Sequence, residues 1–423
     1  MYYFVSVFFM LLCAKSNFLT DYSVSYFLLD IILIWIGLEK NRFKKSDIKL
    51  FLKFSFIYIA YVTFRYLFLN RLAIAFFVSD LNFLLKYIVL SFLYCAVLRD
   101  KAIYYIVKLT ILAALISLPL YFLQLAAGDL IYSLGKLANL QTADVNSTYV
   151  TFLIFSYDKL HAIRNSGFSW EPGAYGCFLN IGLLLYLVTN NFVFNKKAII
   201  LTLAIITTLS TTSYAALIIV LLMNYRANGG KFSKYIIIGI PILIIIAVQL
   251  SFLFSKIVNT YNSDVSELSN VSKFKELNDY YLTNGGQLPL NRFASLIFIY
   301  RLFGLRLIWG ISNTYSNSVS ALNNVNISNG IIDFVAKFGL VGLIYLIYRY
   351  ILLFKKYLLK NELIFYCVLV LLLLSFGEPM LIFQTTLAFF FLYHYADPNT
   401  DLIAGGSNEL ILVEPDERSS SVF

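Results

Sequence analysis

Ala198-Ile199-Ile200-Leu201-Thr202-Leu203-Ala204-Ile205-Ile206-Thr207-Thr208-Leu209-Ser210-Thr211-Thr212-Ser213-Tyr214-Ala215-Ala216-Leu217-Ile218-Ile219-Val220-Leu221-Leu222-Met223 reads in two ways, and the choice decides the topology. As one α-helix, its 26 residues rise ~39 Å and cross a ~30 Å hydrocarbon layer at a tilt. As two, the polar run Ser210-Thr211-Thr212-Ser213 is a break between short helices that go out and come back. The flanking charges discriminate. With a break, Arg226, Lys231 and Lys234 fall on the cytoplasmic side, where short loops of membrane proteins collect Lys and Arg. Without one, they fall outside. The break is the expected arrangement. Irregular backbone at membrane depth needs protein or a wet cavity around it, so the break also predicts a cavity.

The rest of the chain is built for the same solvent. Of 423 residues, 60% are hydrophobic and 13% charged, with a mean hydropathy of +0.77. Soluble domains run about 45–50% apolar and about 25% charged. Apolar segments at about 2–18, 21–38, 50–69, 81–98, 102–126, 172–190, 197–210, 212–224, 235–254, 330–349, 361–376 and 379–396 predict an all-α polytopic membrane protein with about twelve transmembrane helices. The loop 39–49 carries Lys40, Arg42, Lys44, Lys45 and Lys49 and is cytoplasmic by the charge rule. The loop 349–360, with Arg349, Lys355, Lys356 and Lys360, also falls inside. Alternation then places both termini in the cytoplasm and two longer segments, 127–171 and 255–329, outside. A single transmembrane domain over 1–397 results, followed by a polar tail, 398–423, that is linker-like at Gly405-Gly406-Ser407.

Several function classes are thereby excluded. The net charge of +10 reflects loop lysines and arginines that set topology, so nucleic acid is not an expected partner. Four isolated cysteines in apolar runs give neither a metal motif nor a disulfide framework. The two histidines, His161 and His394, make no metal motif. Met1–Leu12 lacks a basic leader and reads as the first span rather than a signal peptide. No metal or cofactor is expected.

The candidate chemistry gathers at the edges of the outward segments. Arg164-Asn165-Ser166-Gly167-Phe168-Ser169-Trp170-Glu171-Pro172-Gly173 puts a cation and a carboxylate at the mouth of an apolar helix. Pro172 suits the first helical turn, so Glu171 falls at the positive end of the helix dipole. Glu171 is then either a cap paired with Arg164 or a functional carboxylate. Arg292 opens the run 290–311, which Arg292, Arg301 and Arg306 punctuate too often for a span. That run reads as a surface or re-entrant helix, and its arginines either snorkel or bind anions. Asn329 stands where it would cap the tenth span. Asp333 and Lys337 follow on one face, as a neutralised pair or as functional groups at membrane depth. Asp30, Arg65, Asp80, Lys86 and Lys108 lie in or at the ends of apolar runs and are read as structural, snorkelling groups.

These segments, in this order, resemble the superfamily of O-antigen polymerases and O-antigen ligases, most closely the Wzy-type polymerases. Arg164-x-x-Gly167-x-x-x-Glu171-Pro172-Gly173 resembles that family's Arg…Gly…Glu-Pro signature before a span. Leu209–Ser213 resembles its Ser/Thr-rich motif between two short helices. Asn291-Arg292 with Trp309-Gly310-Ile311-Ser312 resembles its arginine-led loop ending in a glycine turn. Ser328-Asn329 with Gly339 and Gly342 resembles its His-Asn motif, with Ser328 at the histidine position.

The resemblance covers roughly 164–345 and implies a GT-C-like membrane glycosyltransferase of the bacterial inner membrane, with its site facing the periplasm. It implies a metal-independent polymerisation of undecaprenyl-diphosphate-linked oligosaccharides into O-antigen or a similar surface polysaccharide, and a chain-length regulator as a partner. Arg164 and Arg292 are the expected diphosphate binders, because a planar guanidinium grips phosphate oxygens two at a time. Glu171 orients an arginine or serves as base, with Asp333 and His161 as alternatives. Arg301, Arg306, Asn329 and Trp170 are expected along the substrate path. Ser328 cannot replace an imidazole base near neutrality, which speaks against the ligase. A transporter of lipid-linked sugars would need deep ionisable groups and repeats, and the chain shows no internal repeat.

Overall fold

The computed structural model describes residues 1–70, 74–141, 148–230, 255, 258–259, 261–262, 288–290, 292–312 and 325–397. The span expected at 235–254 and the tail 398–423 lie outside the described residues, as do Lys231, Lys234 and Asn291.

Helices dominate. In chain order they are α1 (Tyr2–Cys13), α2 (Ser23–Glu39), α3 (Lys45–Phe64), α4 (Ile74–Phe83), α5 (Val89–Leu98), α6 (Lys101–Ala138), α7 (Pro172–Thr189), α8 (Lys196–Thr207), α9 (Thr211–Ala227), α10 (Arg292–Phe303), α11 (Gly330–Lys355), α12 (Asn361–Gly377) and α13 (Gln384–Leu392). Among the described residues, five stretches are long and apolar enough to cross a membrane: Lys45–Phe68, Phe76–Leu98, Lys101–Ala138, Pro172–Thr189 and Gly330–Lys355. The chain is thus a mostly helical protein of membrane-helix character. Among the described residues two short β-pairs interrupt it, antiparallel β1 (Tyr149–Thr151) with β2 (Ser156–Asp158), and parallel β3 (Leu288–Leu290) with β4 (Val325–Ile327).

α7 forms the centre. It is apolar all round and buried from Pro172 to Val188, as a helix without a polar face must be. α6, α8, α9 and α12 surround it. The expected break follows α8. Leu209 turns to φ 47°, and Ser210 caps α9 by accepting from the Ser213 amide at 3.4 Å. Gly176 of α7 lies against Ser213 and Thr208, so a side chain there would collide with the break.

A second break lies inside α11. Gly339 adopts φ 74°, ψ 168°, and its backbone meets that of Gly310, at φ 72°. Neither position has room for a Cβ. The carbonyls released by the break find donors outside the helix. Ile311 N donates to the Ala336 carbonyl at 2.7 Å, Tyr61 Oη to Phe338 at 2.9 Å, and Arg65 Nη1 to Lys337. This satisfies the requirement that buried backbone groups be paired.

Three features differ from the expectation. α6 does not stop near 126. It kinks at Ala127 and continues to Ala138, because Gly128 and Gly135 let its extension lie flat on Tyr157 and Val150 of the hairpin. α11 runs through Arg349 to Lys355. Arg349 is therefore a buried tie, donating to the Phe390 carbonyl at 2.9 and 3.1 Å, rather than a loop cation. Arg65 and Asp80 do not snorkel. They are buried and form an ion pair at 2.7 Å, because Arg65 is needed at the α11 break.

Candidate functional site

The loop before α7 is locked from both sides. Asp158 caps the short turn Lys159–His161 by accepting from Leu160 N at 3.0 Å. Asn165 is buried and donates from Nδ2 to Thr207 Oγ1 at 2.9 Å and to Ser117 Oγ at 3.2 Å. Its backbone amide donates to the Thr207 carbonyl at 2.9 Å, and its Oδ1 accepts from Gly167 N at 2.9 Å. Gly167, at φ 48°, sits on the Tyr175 ring where no side chain would fit. These ties hold Arg164 over the α8–α9 break, where its Nε donates to the Thr208 carbonyl at 3.1 Å. The Arg…Glu-Pro segment and the Ser/Thr-rich break therefore form one structure.

Glu171 is the N-cap residue of α7, but its side chain makes no capping hydrogen bond. It accepts from Trp170 Nε1 at 2.9 Å instead. The carboxyl that meets it comes from Glu378, which follows α12 and is buried. Gly173 permits this approach: a Cβ there would lie 3.3 Å from Glu378 Cδ and overlap Oε1. Burial, then the charge of Glu171 and a hydrogen bond with it, push the Glu378 carboxyl well above the usual glutamate range. Arg292 and Arg164 pull in the opposite direction and do not prevail. Burial lowers Arg164 from its ordinary value, whereas Glu171 and Glu378 raise it.

Arg292 reaches the same place from α10. Its Nη2 donates to the Gly377 carbonyl at 3.2 Å, next to Glu378. Asn329 holds it there, donating from Nδ2 to the Arg292 carbonyl at 3.2 Å. Asn329 also caps α11 as expected, accepting from Ile331 and Ile332 amides at 3.1 and 3.2 Å. Gly330 lies directly on the Glu378–Pro379 backbone. Two arginines and two glutamates, drawn from the starts of α7 and α10, the end of α12 and the loop before α7, thus surround one polar centre. A pair of guanidinium groups facing a proton-sharing carboxyl pair can bind a polyanion and exchange a proton beside it.

The other expected residues are placed differently. Asp333 pairs with Lys337 at 2.8 Å. His161 pairs through Nδ1 with Asp158 Oδ2 at 3.0 Å, in the surface turn rather than at the carboxyl pair. Trp170 is half-buried, edge-on to Phe383 at 5.3 Å, and hydrogen-bonded to Glu171. Arg301 and Arg306 are exposed, on α10 and the turn after it. Ser328 is half-buried immediately before Asn329. Among the described residues, no group of three His, Cys, Asp or Glu side chains is arranged to hold a metal ion.

Sequence reasoning missed Glu378 and Lys15. Glu378 carried a signal: Gly377-Glu378-Pro379 repeats the Glu-Pro dipeptide of the α7 entrance between two apolar segments. A carboxylate there is a functional suspect by default. Lys15 follows α1, with its Nζ 4.4 Å from the Phe383 ring centre and 5.9 Å from that of Trp170. Comparison of the chain with protein-family models, curated proteins and solved structures finds no match in any of the three, so the site is read from its own geometry.

Proposed function

We propose that the chain is an integral membrane glycosyltransferase that polymerises polyprenyl-diphosphate-linked oligosaccharide repeat units, on the periplasmic face of a bacterial inner membrane. The observation that carries this reading is that Arg164, over the α8–α9 break, and Arg292, on the Gly377 carbonyl, reach from separate segments toward the Glu171–Glu378 pair. In the proposed topology, with both termini cytoplasmic, all four groups lie on the outer side. The four sequence motifs support the same reading.

The acceptor sugar's hydroxyl attacks the anomeric carbon of the donor. The bond from that carbon to the diphosphate oxygen breaks, and its electron pair leaves with the polyprenyl diphosphate. Arg164 and Arg292 stabilise that leaving group, whose growing negative charge is costly beside a low-dielectric phase. The hydroxyl proton passes to Glu171, whose carboxylate is set by Trp170. Glu378 keeps its proton on the same pair and so limits the negative charge facing the incoming diphosphate.

The test is the surface glycan of cells lacking the chain, run on a gel beside cells restored with wild type or Arg164→Ala. Collapse of the ladder to a single repeat unit, rescued by wild type alone at equal protein level, is expected. Polymer accumulating on its carrier without transfer to the lipid core would mean a ligase. An unchanged ladder would overturn the proposal.

A further inference from the structure

We propose that Arg42, Lys101 and Lys108, gathered around Tyr2 and Tyr3, hold the phosphate head of an anionic phospholipid whose acyl chain lies in the apolar groove between α1 and α6. The site belongs to the leaflet that faces the loop 39–49, and it stands apart from the glycosyltransferase reading.

The first turn of α1 carries two tyrosines, and cations collect on them. Around the Tyr2 ring centre stand Lys40 Nζ at 5.0 Å, the Arg42 guanidinium at 5.7 Å and Lys101 Nζ at 5.9 Å. Lys108 Nζ lies 5.8 Å from the Tyr3 ring centre and 5.4 Å from that of Tyr104. Arg42 Nε donates to Tyr2 Oη at 3.1 Å, and among the described residues its two Nη groups have no hydrogen-bond partner. Aromatic rings offer cations a favourable face but do not neutralise them. The carboxylates at hand do not either. Asp47 is taken by Arg99 at 2.6 Å and by the Lys44 amide at 2.9 Å. Glu39 and Asp100 adjoin the cluster in sequence, yet among the described residues no carboxylate forms an ion pair with Arg42, Lys101 or Lys108. Cations concentrated in this way at a membrane surface attract anionic head groups.

Helix register ties this cluster to the groove. On α1, Tyr3, Val7 and Leu11 recur every fourth residue along one face. On α6, Lys108, Leu112 and Ile116 do the same, and Lys101 lies two turns before Lys108 on that face. Lys108 meets Tyr3 at the foot of the two ladders. Val7 and Leu112 stand one turn, ~5.4 Å, further along, and both line the groove. Leu11 and Ile116 line it another turn on. Leu112 is exposed, and Val7, Leu11 and Ile116 are half-buried, so the groove opens to the outside of the bundle. A free anion would gain nothing from such walls, whereas a hydrocarbon chain would. Phosphate-binding cations at the foot of an apolar groove therefore fit a head and tail joined in one molecule.

The experiment uses the full chain in a non-ionic detergent, titrated with dioleoylphosphatidylglycerol or dioleoylphosphatidylcholine, with bound lipid counted by native mass spectrometry. Wild type should bind a single phosphatidylglycerol, about tenfold or more tighter than phosphatidylcholine. Arg42→Gln, Lys101→Gln and Lys108→Gln should each weaken phosphatidylglycerol about fivefold, and the three together about 100-fold, with phosphatidylcholine little changed. Lys101→Arg with Lys108→Arg should keep the affinity. Leu112→Trp fills the groove but leaves every cation in place, and it should weaken both lipids. Unchanged melting temperatures in detergent report that the variants are folded. Equal affinity of wild type for the two lipids, or an unchanged affinity in the triple variant, would overturn the proposal. Unchanged binding in Leu112→Trp, or displacement of the lipid by glycerol 3-phosphate, would also overturn it, by showing a site for the head group alone. No phosphatidylglycerol bound to wild type would overturn it too, and leave the cluster to an acidic segment such as 398–423.

Discussion

Gly173→Ala is the most discriminating single perturbation of the carboxyl pair. Gly173 stands in the first turn of α7, directly after Pro172, and alanine is the better helix former there by about 1 kcal/mol. The backbone therefore loses nothing. The added Cβ, however, overlaps Glu378 Oε1 and lies 3.3 Å from its Cδ, where ordinary contacts begin near 3.4 Å. The carboxyl must retreat by about 1 Å, away from Glu171. A misplacement of about 1 Å at a reacting centre costs on the order of 100-fold in rate, or about 2.7 kcal/mol of transition-state stabilisation. In a polymerisation assay with purified chain and lipid-linked repeat units, kcat should fall by about that factor, with KM little changed. Adding Glu378→Asp shortens the displaced side chain by one methylene, so the double variant should recover part of the loss, a non-additivity expected of groups in contact. Wild-type kcat in Gly173→Ala would refute the role given to the carboxyl pair.

Arg164→Lys should lower kcat/KM by about 10–100-fold despite the retained charge, because an ammonium lacks the bidentate fork; full activity would remove that argument. Glu378 takes up protons on folding above the ordinary glutamate value of 4.5, since its folded value is raised, so stability should fall as pH rises through that window. Glu378→Gln should flatten the dependence of melting temperature on pH from about 4.5 upward, and an unchanged slope would contradict the assignment. Arg65→Ala should destabilise the fold by about 3–5 kcal/mol, because it removes the cation from a buried ion pair with Asp80 and a donor from the Lys337 carbonyl; Arg65→Met with Asp80→Leu should cost less in the same thermal unfolding measurement.

The parts of the fold with local causes were legible in the sequence. The Ser210–Ser213 run ends one helix and caps the next through a serine side chain, and Asn329 caps α11, both as side-chain chemistry prescribes. Gly310 and Gly339 were visible as motif glycines, but their contact was not. It depends on segments far apart in sequence whose backbones both need a positive φ at the point of approach. The same limit applies to Arg65 and Asp80. Sequence position alone suggested snorkelling, whereas the carbonyls freed at Gly339 supply the reason for burial. At the site, Arg164, Arg292 and Glu171 carried motif signals. Glu378 carried only its Glu-Pro dipeptide and Lys15 no signal, because their importance comes from what the folded chain places opposite them. His161 was a candidate by residue type, and Asp158, three residues earlier, engages it instead.

Ser328, where the resembling family has histidine, now has a physical counterpart. Asn329 binds the Arg292 carbonyl, and Gly330 rests on the Glu378–Pro379 backbone, so the start of α11 touches the carboxyl pair through its main chain. The first residue of α11 is therefore next to Glu378. An imidazole serves as a base near neutrality because its ordinary proton affinity lies there. Burial and a second carboxylate raise Glu378 well above the usual glutamate range, so the carboxyl pair can hold a proton there. In the proposed mechanism the serine is thus no loss of function: Glu171 takes the hydroxyl proton, and Glu378, the first residue after α12, keeps its own beside it. In the same mechanism Arg164 and Arg292 offset the charge of that pair as well as that of the leaving group.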